Sequence, residues 1–198
     1  RTAELSKLVE NSFRDVNIAF ANELSLICDK LDINVWELIK LSNHHPRVNI
    51  LQPGPGVGGH CIAVDPWFIV DSAPNDSKLI HTARLVNDSM PNFVLDKVNQ
   101  AVRDTGENIT ELSIACLGLA FKPDIDDLRE SPALFIATKL HEVLEVVVVE
   151  PNIDYCKGLN LVGIEKGLES DIFVYLVSHK EFENLNTKNN LDFCGNCK

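Results

Sequence analysis

The hydrophobic period of this chain changes once, and that change limits the possible folds more than any other feature. Across residues 3–30, Leu5, Leu8, Val9, Phe13, Val16, Phe20, Leu24 and Ile27 recur at steps of three and four, the spacing of a long amphipathic helix. A shorter helix is expected over residues 35–41. Residues 77–104 form a second long helix on the spacing of Leu79, Ala83, Val86, Val94, Val98 and Val102, with a kink at Pro91. Past residue 111 the pattern becomes one of short apolar runs. LSIACLGLAF and VVVVEP read as buried strands, and SPALFIATKLHEVLE between them reads as a helix capped by Ser131 with Pro132 at its first position. Strand, helix, strand in that order implies a parallel βαβ unit. DIFVYLVSH is a further strand, followed by a short acidic helix and a final apolar LDF. The fold class is therefore α/β, with a helical domain over residues 1–105 and a small doubly wound, Rossmann-like parallel-sheet domain over residues 106–198.

Composition narrows the partners. A chain of 198 residues with 45% hydrophobic content can bury one good core and a second smaller one. Its net charge of −11 argues against nucleic acid or an anionic membrane as a general partner, because both need a basic footprint. No apolar run approaches the roughly 20 residues that span a bilayer, and no leader pattern opens the chain, so a cytoplasmic protein is expected. Cys28, Cys61, Cys116, Cys156, Cys194 and Cys197 are irregularly spaced, which favours reduced thiols. Cys194 and Cys197 form one CxxC pair without a second, and His44, His45 and His60 complete no ligand set, so no metal is expected. The first residue is Arg1, with a helical pattern under way by Ala3 and no capping signal ahead of it, so the chain is read as starting inside a larger protein.

Residues 43–59 hold two His, three Pro and four Gly, a composition that excludes regular structure and leaves an ordered or a disordered loop. Within GPGVGGHCIAVDP, the glycines Gly54, Gly56, Gly58 and Gly59 let backbone amides approach a ligand closely. Cys61 follows directly. A helix beginning there would place its N-terminus against the sulfur and raise the thiolate fraction, as a nucleophile requires. Asp65, four residues on, would then share a face with the sulfur and order a water or carry a proton. The plainer reading is a structural cysteine after a flexible turn.

Four stretches in order decide against that plainer reading. GPGVGGHCIAVDPWFIV is similar to the catalytic signature of the UDP-glucose, GDP-mannose and UDP-N-acetylmannosamine dehydrogenase family. AELSKLVENSFRDVNIAFANEL resembles that family's central helix, ARLVNDSMP its connecting helix, and GLAFKPDIDDLRES the opening of its UDP-binding domain. The resemblance covers essentially the whole chain. It implies an NAD-dependent, four-electron oxidation of a UDP-sugar to a uronic acid through a thiohemiacetal and a thioester on Cys61. It also implies that Lys7, Asn11 and Asp65 act with Cys61, although Lys7 and Asn11 taken alone are an ordinary solvated helix face. Arg47, Gly58, Phe121 and Lys122 are implied substrate contacts, Arg47 reaching across a homodimer formed by the central helices. Phe121 and Lys122 are read as ending the first strand of the second domain. Arg129 matches a residue that touches the cofactor, but it could equally pair with Asp126 or Asp127 across a turn.

His60 and the VDPWF that follows Cys61 resemble the N-acetylated hexosamine branch, and HPRVNILQPGPGVGGHC most resembles its UDP-N-acetylmannosamine members, with other UDP-sugars as alternatives. The chain lacks the strand and GxGxxG turn that open the family's NAD-binding domain, so the main cofactor domain is expected to be absent and the chain alone inactive. A non-catalytic dimerisation and UDP-binding module remains the rival reading.

Overall fold

The computed structural model describes residues 2–108 and 112–196. Its described residues divide into two compact units, one running to Met90 and the other from Pro91 onward. The first unit contains α1 (Thr2–Leu31), α2 (Val35–Ser42), α3 (Asp65–Ser72) and the start of α4 (Lys78–Thr105). The long helices lie where the hydrophobic period put them. Asn34 opens α2, its side chain accepting the Glu37 amide at 3.0 Å, and supplies the cap that Val35 and Trp36 cannot.

The apolar stripe of α1 is not its buried face. Asn11, Ser12, Asp15, Ala19, Ala21, Asn22 and Cys28 are buried, whereas Leu5, Val9, Phe13, Phe20, Ile27 and Leu31 are exposed, Phe13 at 69%. The period correctly identified a helix, but which stripe faces inward is decided by tertiary partners, and here the partners are polar.

The second unit is a four-stranded parallel sheet in the order β2-β1-β3-β4, with β1 at Ser113–Leu117, β2 at Glu145–Val149, β3 at Ile172–Tyr175 and β4 at Asn190–Asp192. Helix α5 (Pro132–His141) makes the first crossover, and the Ser131 side chain caps it by accepting the Leu134 amide. A short α6 (Ile164–Gly167), which the sequence pattern does not announce, precedes β3. The expected acidic helix is a single 3-10 turn at Lys180–Phe182.

Alternation along β1 explains why both sheet faces are apolar. Ile114 and Cys116 join Val94, Val98 and Val102 of α4 and Ile136, Ala137 and Leu140 of α5 in one core. Ala115 and Leu117 pack on the opposite face with Val149, Phe173, Tyr175 and Phe182. The back half of α4 therefore packs in the sheet's core, and the division by packing falls at Pro91, inside the helix, while residue 106 marks only the helix's end in chain order.

Strand β1 ends at Leu117, earlier than the apolar run LSIACLGLAF indicated, because the chain turns sharply at Gly118. Gly118 has φ +94, and a Cβ there would lie 2.4 Å from the Cβ of Val177. Gly118→Ala is expected to lower stability by about 2–4 kcal/mol, through backbone strain and overpacking together. Urea denaturation of the variant beside the parent checks this, and an unchanged midpoint would contradict the packing described.

Candidate active site

Three asparagines convert the glycine- and proline-rich loop of the first unit into ordered structure. A side-chain amide offers one acceptor and two donors, so it can pair with an extended segment as a neighbouring strand would. Asn43 does this with Ile50, donating to its carbonyl at 3.0 Å and accepting from its amide at 2.8 Å. Asn17 accepts from the Leu51 amide at 3.1 Å and donates to the Asn49 carbonyl at 3.2 Å. Asn22 accepts from the Gly54 amide at 2.9 Å. Two of the four glycines, Gly56 at φ 141 and Gly59 at φ 82, adopt backbone conformations that favour glycine. Gly58 is half-buried and has no such conformation.

Cys61 lies in the turn after this loop, half-buried. Its carbonyl accepts the amides of Val64 at 3.1 Å and Asp65 at 2.8 Å, and α3 starts at Asp65. The expected helix start at Cys61 is thus corrected: Pro66, in the first helical turn, fixes the N-terminus at Asp65, and the sulfur sits a turn ahead of the helix. Among the other described thiols, Cys28 and Cys116 are buried and Cys156 is half-buried, and withdrawal from water lowers the thiolate fraction of all three. Burial pushes Cys116 up to about 12 and raises Cys28 and Cys156 as well.

Asn11 donates to the Asp65 carboxylate at 2.5 Å, joining positions 54 apart in sequence. The fold therefore brings together Asn11, Asp65 and the Cys61 turn. Lys7, one turn before Asn11 on α1, is exposed and paired with Glu10 at 3.3 Å. Arg47 is exposed, its backbone amide on His45 Nδ1 at 3.3 Å.

Beneath Asn11 runs a buried polar network that the sequence reading missed. Arg84 binds Asp15 at 2.6 Å and also pairs with Asp88. Asn87 donates to Asp15 at 2.8 Å and accepts from Asn22 at 2.8 Å, and Asn22 in turn holds Gly54. Burial raises the Asp15 carboxyl in spite of Arg84 and Asn87. The available signal was ARLVND itself, since Arg84 and Asn87 are three apart and share a helix face.

In the second unit, the sheet order switches direction between β1 and β3, and ligands of open α/β sheets bind outside the strand ends at such a switch point. Phe121 and Lys122 lie in the loop beyond β1, not at the strand's end, with the Lys122 ammonium 5.7 Å from the Phe121 ring centroid. Arg129 binds Asp127 at 2.5 Å, the local pairing that the sequence left open. Cys194 is half-buried, and Cys197 lies outside the described residues.

A second network, also missed, lies under that loop. The buried Glu150 carboxylate accepts the Leu119 amide at 2.7 Å, the Ala120 amide at 3.0 Å and the Asn152 amide at 3.0 Å. Asp124 and Asn152 direct N–H groups at His179 Nδ1, so the proton sits on Nε2 and is donated to Glu150 at 3.1 Å. Asp124, His179 and Glu181 lie close enough to suggest a metal site, but both histidine nitrogens are engaged. Burial alone would raise the Glu150 carboxyl, yet the bonds from His179, Leu119, Asn152 and Ala120 prevail and hold it at about 2. A glutamate directly after a run of four valines, three of them buried, was the clue, because a carboxylate there has little water and needs protein donors.

Two family models match the chain: the UDP-glucose/GDP-mannose dehydrogenase family central domain over residues 1–89, and that family's UDP binding domain over residues 115–194. A UDP-N-acetyl-D-mannosamine dehydrogenase of Campylobacter jejuni is 59% identical, covering 98% of this chain and 49% of its own length. An NDP-N-acetyl-D-galactosaminuronic acid dehydrogenase of Ralstonia nicotianae is also 59% identical, over 94% of this chain and 45% of its own. Among solved structures, UDP-D-ManNAc dehydrogenase from Pyrococcus horikoshii superposes with a TM-score of 0.89 at 38% identity, covering all of this chain and 49% of that one. The chain thus spans about half the length of the curated relatives it matches.

The Glu150 network sets an acid limit on stability. Its carboxyl falls from 4.5 to about 2 on folding, which corresponds to on the order of 3 kcal/mol. A lowered carboxyl stabilises above its unfolded value, so this contribution is intact above about pH 4.5 and lost as pH falls towards 2. The urea midpoint should drop over that window, and Glu150→Gln should flatten the drop. An equally steep acid dependence in the variant would refute the assignment.

Proposed function

Since the chain belongs to the UDP-glucose/GDP-mannose dehydrogenase family, we propose that the full-length protein is an NAD-dependent UDP-sugar 6-dehydrogenase that oxidises UDP-N-acetyl-D-mannosamine to the uronate. The observation that carries the reading is the hydrogen bond from Asn11 to Asp65, at the start of the helix that follows the Cys61 turn. The C6 alcohol first gives up a hydride and its hydroxyl proton, and Cys61 Sγ adds to the resulting aldehyde to give a thiohemiacetal. Loss of hydride from that carbon leaves a thioester, and water releases the acid and restores the thiolate. Asp65, oriented by Asn11, holds the water and takes its proton. Asn11 and Lys7 stabilise the oxyanion, for which Lys7 must leave its exposed contact with Glu10. Gly58 lies beside the sugar, Arg47 reaches the substrate of a partner copy, and Phe121 and Lys122 hold the nucleotide.

NAD, when bound, accepts the hydrides. In the second unit the Leu119 and Ala120 amides, placed where an open sheet meets a ligand phosphate, are bonded to Glu150. We assign NAD chiefly to the part of the protein beyond this chain, with Arg129 as its one proposed contact here. No described helix is long and apolar enough to cross a membrane. A cytoplasmic setting suits a thiol nucleophile.

Choice of sugar rests on the acetamide, whose polar partners would stay unpaired with UDP-glucose at a cost of roughly a thousandfold or more in specificity. The full-length protein should consume two NAD per UDP-N-acetylmannosamine, and Cys61→Ser should abolish acid formation. Uronate production by the variant would sink the mechanism, whereas a preference for UDP-glucose or a galactosamine sugar would move only the branch.

The exposed stripe of α1 is proposed to dimerise, its groove lined by Phe13, Val16, Asn17, Phe20, Asn49 and Ile50. Sedimentation should give a dimer that Phe13→Glu weakens. A parent protein that is monomeric at high micromolar concentration would contradict it.

A further inference from the structure

We infer that Glu150 is a positioning residue for nucleotide-sugar binding: with His179 it clamps both ends of the loop at residues 118–124 and so sets where Phe121 and Lys122 stand. The inference rests on reading those two residues as nucleotide contacts. Glu150 holds the near end of the loop through the Leu119 and Ala120 amides, at 2.7 and 3.0 Å. His179 accepts the Asp124 amide at the far end, at 3.0 Å, and donates to Glu150 at 3.1 Å. Phe121 and Lys122 lie between the two clamps.

Neither clamp residue can meet a ligand directly, since both side chains are fully buried. Their effect must pass through the backbone they hold. Replacing a buried charge network by packed hydrocarbon is often neutral or stabilising, so stability alone is a weak reason to place a carboxylate here. Its position gives a better one. The first amides after β1 are where an open sheet ordinarily offers donors to a ligand phosphate. Glu150 occupies them with its own negative charge, so the ligand's phosphates must be met further along, by side chains such as Lys122. A loop that presents a side chain rather than its amides depends on that side chain's base being fixed.

The full-length protein carrying Glu150→Gln tests this, because a glutamine cannot accept from every N–H donor now on the carboxylate: its own NH2 must face at least one of them. KM for the UDP-sugar and Kd for UDP should rise about tenfold, while kcat stays within about twofold. Amide exchange should quicken at Leu119, Ala120 and Asp124 and stay slow within β1. His179→Gln should act in the same direction, and the double variant should fall short of additivity because both residues serve one network. Lys122→Met separates the inference from the reading beneath it. If that variant binds UDP as the parent does, the nucleotide assignment fails and takes the inference with it. If it weakens UDP binding but Glu150→Gln does not, the positioning role alone is overturned. A fall in kcat with KM unchanged overturns it too. Should Glu150→Gln not fold, His179→Gln, which leaves Glu150 on Leu119 and Ala120, carries the same test: raised KM at unchanged kcat supports the clamp, and unchanged KM refutes it.

Discussion

The buried ion pair between Asp15 and Arg84 is the constraint on which the first unit depends. Both side chains are almost wholly withdrawn from water, and Asp15 pays for this with a raised carboxyl. A pair of this kind adds little net stability over packed hydrocarbon, but removal of either partner strands a charge. What it contributes is register. Asp15 lies one helical turn beyond Asn11, and the network it anchors continues through Asn87 and Asn22 to the Gly54 amide. The turn of α1 that meets Asp65 and the entry to the Cys61 loop are thereby fixed by one connected set of bonds.

The second unit repeats this logic with one carboxylate. Glu150 is held ionised by donors from three segments that converge at the C-terminal edge of the sheet: the loop after β1, its own loop after β2, and His179 after β3. Parallel strands leave their ends as separate loops, and nothing in the ladder ties those loops to each other. A buried acceptor with several lone pairs does tie them, with directionality that apolar contacts lack.

Legibility from sequence follows the same division. α1, α2, α4, the βαβ unit and the Ser131 cap were readable because periodicity and capping are local signals. Cys61 was readable as a motif, but its local structure was not: the start of α3 turns on Pro66 and on bonds to the Cys61 carbonyl. The end of β1 was misread because the steric demand on Gly118 comes from Val177, distant in sequence. Asp15, Arg84, Asn87, Glu150 and His179 escaped notice because a buried polar residue has the same letter as a solvated one. Only the fold supplies the partner that makes it affordable.

α1 shows how far this ambiguity reaches. Its inward face carries Asn11, Ser12, Asp15 and Asn22, while its large apolar side chains point outward at roughly half exposure. Fully burying one such side chain contributes about 1.5–3 kcal/mol, so six of them left half exposed forgo several kcal/mol in the isolated chain. A helix with a polar interior gains little hydrophobic stabilisation from that side, and its outer stripe is where the missing stabilisation can be recovered. The polar face and the apolar face are therefore two halves of one arrangement. The inward side gives up burial energy to fix Asn11 and the cysteine loop, and the proposed second copy, by covering the outward side, restores it.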